Sequence, residues 1–444
     1  MRRLLILLLF AASFGFGFGG ARAAGVADDG VHLGVASCAG NNCHGAVEPL
    51  KASRVQQNEY LIWAQKDKHS RAYAVLKDER SQRIARNLGL LNSKGEPDAE
   101  NAAICLDCHA DNVAPDRRGR QFQLSDGVGC EACHGGSVGW LGIHISGGTH
   151  QQNVQAGLYQ TDKPLERAER CMTCHVGDDK RLVTHQIMGA GHPPLGFELD
   201  TYTAIQPAHY TVDADYVQRK GRPNDVQTWA VGQSMDLRKR MDAILDPKNV
   251  PKGLDPELAL FDCQACHHAM DQLQWRPRAS TGLGPGKLRL YDATAVMLRT
   301  IATRVAPEVA TELSTHMLAL HKGVGEGWPA VQREAAAVKQ LAEALIPKLA
   351  AHEFTKEDAK ALAEAVLGLG VNGEDLDYSG AQQQTMALQS IVAAMQQLGF
   401  ADETQIKALN EALTKVGETV ANDQTYRPDV YVQALRQVQA KLPP

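Results

Sequence analysis

Aromatic side chains are scarce: Phe, Trp and Tyr make up 5% of the 444 residues. A core built on stacked aromatic rings is therefore not to be expected from the side chains alone. Past the first two dozen residues no stretch is apolar enough to cross a bilayer, so no permanent span is expected. Positive charge is not in excess either. The 46 Lys and Arg stand against 51 Asp and Glu, a balance of −5, which argues against nucleic acid and anionic lipid as partners. Cysteine is absent from Lys287 to the end, so the chemistry of the ten cysteines is confined to the earlier part.

What is present begins with an N-terminal segment, residues 1–24, that reads as a secretory signal. Arg2 and Arg3 supply the charged start, Leu4 to Phe18 the apolar run, and Ala21 to Ala23 a small-x-small cleavage site. Export to the periplasm is the expectation. Loss of Arg2, Arg3 and Arg22 would take the charge balance from −5 to −8. The remaining 420 or so residues are long enough for two domains.

The cysteines fall in a repeated pattern. Cys105-Leu-Asp-Cys108-His109, Cys130-Glu-Ala-Cys133-His134, Cys171-Met-Thr-Cys174-His175 and Cys263-Gln-Ala-Cys266-His267 all read Cys-x-x-Cys-His. Cys38-Ala-Gly-Asn-Asn-Cys43-His44 is a stretched version with four residues between the thiols. This spacing is the attachment signature of a c-type haem: two thiols add to the porphyrin vinyl groups, and the histidine that follows becomes an axial ligand. A zinc site needs four ligands and no histidine behind each second cysteine. A redox dithiol would need a single copy beside a βαβ pattern. The five motifs use all ten cysteines, so five covalently attached haem c groups are expected, and five porphyrins would supply the flat apolar bodies the side chains lack. Export agrees, because c-type attachment takes place outside the cytoplasmic membrane.

Only 20 residues separate His109 from Cys130, and 36 separate His134 from Cys171. The first gap is too short for an independent domain, so neighbouring haems must share one fold. Eleven histidines lie outside the motifs. Imidazole on both faces of an iron gives a low-spin centre of low potential that changes little between oxidation states. The candidates for this second seat are His69, His144, His185, His192, His209 and His268. His69 shares an apolar helical face with Ala72, Tyr73 and Leu76 in a helix expected over residues Asn58–Leu90. Glycines before His144 would let backbone approach a porphyrin, and two prolines after His192 would fix its approach. His316, His321 and His352 are not expected to ligate, and His32 and His150 are undecided.

The fold class expected is mainly α: a multihaem cytochrome c domain over 25–280 with little regular structure besides helices, then an all-α domain over 287–444. A Gly/Pro-rich linker around 280–286 marks the change. Behind it the sequence turns to Ala, Leu, Gln, Lys and Glu at helical spacing, with helices expected at 289–305, 307–322, 328–352, 356–369, 380–398, 403–422 and 428–442. Thr355-Lys-Glu-Asp358 and Asp402 read as helix starts. This tail is read as packing on the haem domain or on a partner.

The chain also resembles the multihaem cytochromes related to the tetrahaem cytochrome c-554 of ammonia oxidisers. The resemblance rests on Lys68-His-Ser-Arg-Ala-Tyr73, on Gly127-Val-Gly-Cys-Glu-Ala-Cys-His-Gly-Gly136 with His144 behind it, and on Gln186-Ile-Met-Gly-Ala-Gly-His-Pro193 with Phe197-Glu-Leu-Asp200. It spans about residues 35 to 275 and not the tail. It implies that spare histidines such as His69 and His144 fill distal seats and that haems stack in close pairs. The five motifs, the stretched first one and the tail depart from that family.

Two functions remain in view. The leading one is a periplasmic electron carrier between a quinol-linked membrane donor and a periplasmic or outer-membrane acceptor; the absence of any Cys-x-x-Cys-Lys motif favours it. The alternative is an oxidoreductase with one open-seat haem acting on a small nitrogen or sulfur compound, its pocket drawn from Arg181, His185, His192, His209 and Tyr210.

Overall fold

The computed structural model describes residues 30–50, 55–251, 256–267, 283 and 287–443. The signal segment, His268 and most of the linker lie outside the described residues. The protein is mainly α, with no strand among the described residues and three isolated bridges.

The first half is made of short helices joined by turns. The single helix expected over 58–90 is instead two α-helices, Glu59–Lys66 and Glu79–Asn87, with 3-10 turns at Lys68–Arg71 and Ala74–Lys77 between them. The break is at Asp67, whose backbone is extended and whose carboxylate accepts the His69 amide. A side chain that bonds its own near backbone competes with helical propagation, and here it wins. Helices Ala103–His109, Cys130–His134 and Pro164–His175 each end on the histidine of a motif. The motif at Cys263 forms the 3-10 turn Cys263–Ala265, and Cys38–His44 closes through His44 N–H to the Cys38 carbonyl at 3.1 Å.

One helix organises the second half. Asp225–Leu245 is buried around its whole circumference over much of its length, with Val226, Trp229, Met235 and Leu237 at 0% exposure. It packs on Trp328–Ala351, Ala293–Val305 and Tyr378–Gln397 from the tail, and on Pro164–His175 and Leu199–Ile205 from the haem-bearing side. Gly232 permits the close approach of the latter, since a Cβ there would come within 2.7 Å of Leu199. The rest of the bundle is Pro307–Glu326, Lys356–Val371, Glu403–Thr419 and Pro428–Gln439. The expected starts at Thr355 and Asp402 are both capping boxes, with Asp358 and Gln405 returning the bond.

One large apolar core runs from Ala168 and Met172 through the central helix to Val438. The first half has a second cluster of only Leu76, Ala85, Ala99, Leu106 and Ala110.

Candidate haem sites

Each motif histidine faces one spare histidine. His44 lies opposite His144 with ring centres 6.0 Å apart, His69 opposite His175 at 6.1 Å, and His109 opposite His192 at 6.4 Å. His134 and His209 are 6.2 Å apart, as are His185 and His267. Two metal–imidazole bonds of about 2 Å laid end to end, with the ring radius added on each side, span about 6 Å. The spacing fits a metal between the two rings of each pair. Among the described residues no three His, Cys, Asp or Glu side chains gather in a metal-binding cluster, and no disulfide joins the ten cysteines. Two protein ligands per site suit an iron whose other four positions come from a porphyrin, and they poorly suit a zinc site built from four thiolates.

The ring nitrogen that would face away from the metal is bonded in several pairs. His44 Nδ1 meets Glu59 at 2.9 Å and His69 Nδ1 meets Asp67 at 2.9 Å. His109 Nδ1 and His192 Nδ1 meet the carbonyls of Ala72 and Pro193 at 2.9 and 2.7 Å. This is the usual support of a ligating imidazole, fixing its tautomer and leaving Nε2 for the metal. The bonded carboxylates hold the His44 and His69 pKa values above the ordinary histidine range against the opposing effect of burial. Burial opposes the ionised form of Asp67 too, yet bonds from His69 and Gln206 bring it down to about 2. His134 and His175 fall to about 4, first through burial and then through their partner histidines. Both are therefore neutral imidazoles, the ligating form.

The motifs lie close together. Cys38 lies against Cys130, and Cys108 against Cys174. Glu131, inside the second full motif of the region, is a buried carboxylate that accepts the amides of Leu33, Gly34 and Ser137 at 2.7–2.8 Å. It pins the N-terminal segment that carries Cys38 against Cys130. Gly127, at φ +73°, lets the same motif lie on the His69 turn, where a Cβ would come within 2.7 Å of the His69 carbonyl. Large apolar side chains stand exposed within a few residues of these histidines in the chain: Val47 and Ile145 for His44 and His144, Ile205 and Val212 for His209, and Leu195 for His192. Such open apolar walls suit a porphyrin face.

The residues named for an open-seat pocket do not converge. His185, His192 and His209 each belong to a different pair. Arg181 is bound to Asp178 and to the Asp107 carbonyl, and Tyr210 stacks on Tyr216 with ring centres 5.6 Å apart. His321 is a buried histidine bonded to the carbonyls of Met317 and Leu290; His316 and His352 pair with Glu334 and Asp358. His32 bonds Asp111 at 2.7 Å and His150 lies 3.6 Å from Asp162. The sequence reading passed over Glu59, Asp67 and Glu131. Asp67, two residues before His69, carried a local signal as an acceptor for the turn, whereas Glu131 bonds mostly across about a hundred residues.

Thiols in Cys-x-x-Cys-His turns and paired imidazoles at metal-spanning distance define a c-type cytochrome with covalently bound haem c. Residues 37–135 match the family described as cytochrome c554 and c-prime, which supports assigning the chain to the c-type cytochromes. No curated protein and no solved structure matches it.

Proposed function

We propose that the protein carries electrons through five covalently bound haems, each seated between two histidines. The pairs are His44 with His144, His109 with His192, His134 with His209, His175 with His69, and His267 with His185. His268 takes no seat in this scheme. The observation that carries the reading is the set of five pairs at 6.0–6.4 Å, one for each motif and each using a spare histidine once.

Haem c would supply a one-electron Fe(III)/Fe(II) couple. The chain does the rest. The ten motif cysteines hold the groups by thioether bonds. The paired imidazoles would hold each haem iron from both sides, which would exclude substrate and keep geometry constant during transfer. Glu59, Asp67 and the Ala72 and Pro193 carbonyls orient the rings. Phe197, stacked on His175 at 5.0 Å, and Tyr202, edge-on at 5.3 Å, cover one ligand with apolar surface. The contacts of Cys38 with Cys130 and of Cys108 with Cys174 support close haem pairs, and closeness makes transfer between them fast.

The site of action in this reading is the periplasm, following the N-terminal export segment. Partners are redox proteins: a quinol-linked membrane donor, and a periplasmic or outer-membrane acceptor. No helix among the described residues is long and apolar enough to cross a membrane. Low-temperature electron paramagnetic resonance of the oxidised protein, with carbon monoxide added to the reduced form, tests the reading. Five low-spin centres and no carbon monoxide adduct are expected. A high-spin centre that takes the ligand would instead favour the oxidoreductase alternative.

A further inference from the structure

The turn at Cys263–Ala265 is held unlike the other motifs. Asp262 caps it, its Oδ1 accepting the amides of Gln264 and Ala265 at 2.8 and 3.2 Å. The other oxygen, Oδ2, receives Arg289 Nη2 at 2.8 Å. The same Nη2 lies 3.1 Å from Asp377 Oδ2, and Arg289 Nε lies 3.8 Å from Asp292. Arg289 is 4% exposed and its three carboxylates are 2–9% exposed, so the cluster is shielded from water. Backbone bonds run alongside it: Asp262 N–H to the Arg289 carbonyl at 2.9 Å, and Tyr291 N–H to Leu260 at 3.0 Å. Gln264, between the two cysteines, accepts the Tyr378 amide at 2.8 Å at the start of helix Tyr378–Gln397. A cavity of about 1550 Å³ opens beside this turn, with His185, Cys263 and His267 on one side and Tyr378, Gln382 and Asn422 on the other.

We infer that the C-terminal bundle forms one wall of the fifth haem site, and that Arg289 is the positioning residue that holds the Cys263–His267 turn against that wall. This rests on the pentahaem reading above. A guanidinium fork placed between carboxylates fixes orientation more tightly than a single contact, and in a buried site it resists displacement by water. The fifth haem is thereby coupled to the fold of the bundle through its own motif; the motif ending at His175 meets the central helix through Met172, and the other three are positioned within residues 30–210.

Arg289 itself is a poor test, because its loss would strand three buried carboxylates and damage the fold. Asp262→Asn keeps an acceptor for the turn but loses the charge on Arg289, and Gln264→Ala removes the contact with Tyr378 without touching a charge. In the full-length holoprotein, His185→Ala first identifies the resonance of the fifth haem. Redox titration followed by paramagnetic resonance, together with the mass of the denatured polypeptide, then reads each variant. The expected result is that both variants shift that resonance and its potential, or lose that one haem, while the other four stay unchanged. Asp358→Asn, which weakens the pairings of Asp358 with Arg304 and His352 in the bundle, should lower the melting temperature and move no haem signal. If Asp262→Asn does not fold, Gln264→Ala decides. Five unmoved signals, or five that move alike, would overturn the inference. A wild type with fewer than five haems, or a His185→Ala variant with every signal intact, would overturn the pentahaem reading instead.

Discussion

The two halves of the chain are held together in different ways. The bundle is an ordinary protein interior: Leu345, Leu388, Leu413 and Tyr431 are essentially fully buried in a core that includes the central helix. The haem-bearing half has few such side chains. It is held by side-chain-to-backbone bonds of Asp67, Glu131 and Arg117, by glycines such as Gly127, and by the motifs themselves. A protein can thus place its core in its own side chains or leave room for prosthetic groups, and under the proposed haem attachment residues 30–210 follow the second course.

The most severe way to break the comparison is to block attachment. With Cys130 and Cys133 both replaced by serine, residues 30–210 should lose protection against limited proteolysis while 225–443 remain a protected, helical fragment by mass and circular dichroism. If the whole chain is digested at one rate, the halves are not separately maintained. Next in size, Leu345→Ala should cost about 2–5 kcal/mol of bundle stability through a buried cavity. Urea unfolding reads this, and four haem signals should be unaffected. Third, Glu131→Gln replaces an acceptor oxygen by a donor facing buried amides, a loss of about 1–3 kcal/mol. Hydrogen exchange should quicken at Leu33, Gly34 and Ser137 and not in the bundle.

The last effect concerns the seam between the halves and is read through pH. Asp200 is pushed up to about 8, first by burial and then by Asp225 and Glu198. Its folded pKa lies above the unfolded value near 3.9, so the native state holds a proton that the unfolded state has released across that window. Stability should fall as pH rises from about 4 to about 8, by at most ~1.4 kcal/mol per pH unit. Asp200→Asn should flatten the dependence of the melting temperature on pH; an unchanged slope would place its origin elsewhere.

How much of this was legible depended on range. The seven tail helices follow from spacing alone, because each shows one apolar stripe to a common core; their ends moved by a few residues. The central helix Asp225–Leu245 escaped because it has no stripe: it is buried on all sides and carries Thr228, Gln233, Ser234 and Asp236 inside. The break at Asp67 carries a local signal, a capping carboxylate two residues before His69, but the apolar spacing on either side of it outweighs that signal. The motifs are local and could be read directly. The spare histidines facing them could be named as a set, but not matched, because matching is a property of the folded chain.

That matching has a consequence in polymer terms. Under the proposed ligation each iron ties two points of the chain between 75 and 106 residues apart, as the partner numbers show. The spans run 44–144, 69–175, 109–192, 134–209 and 185–267, and each opens before the preceding one closes. For a covalent cross-link of about 100 residues, chain statistics assign about 4–5 kcal/mol of lost unfolded-state freedom. Overlapping ties act as a mesh: releasing any of the three inner ones leaves its residues still enclosed by its neighbours. The haem-bearing half would then let go all at once or not at all, with a cooperativity that comes from the topology of its cross-links.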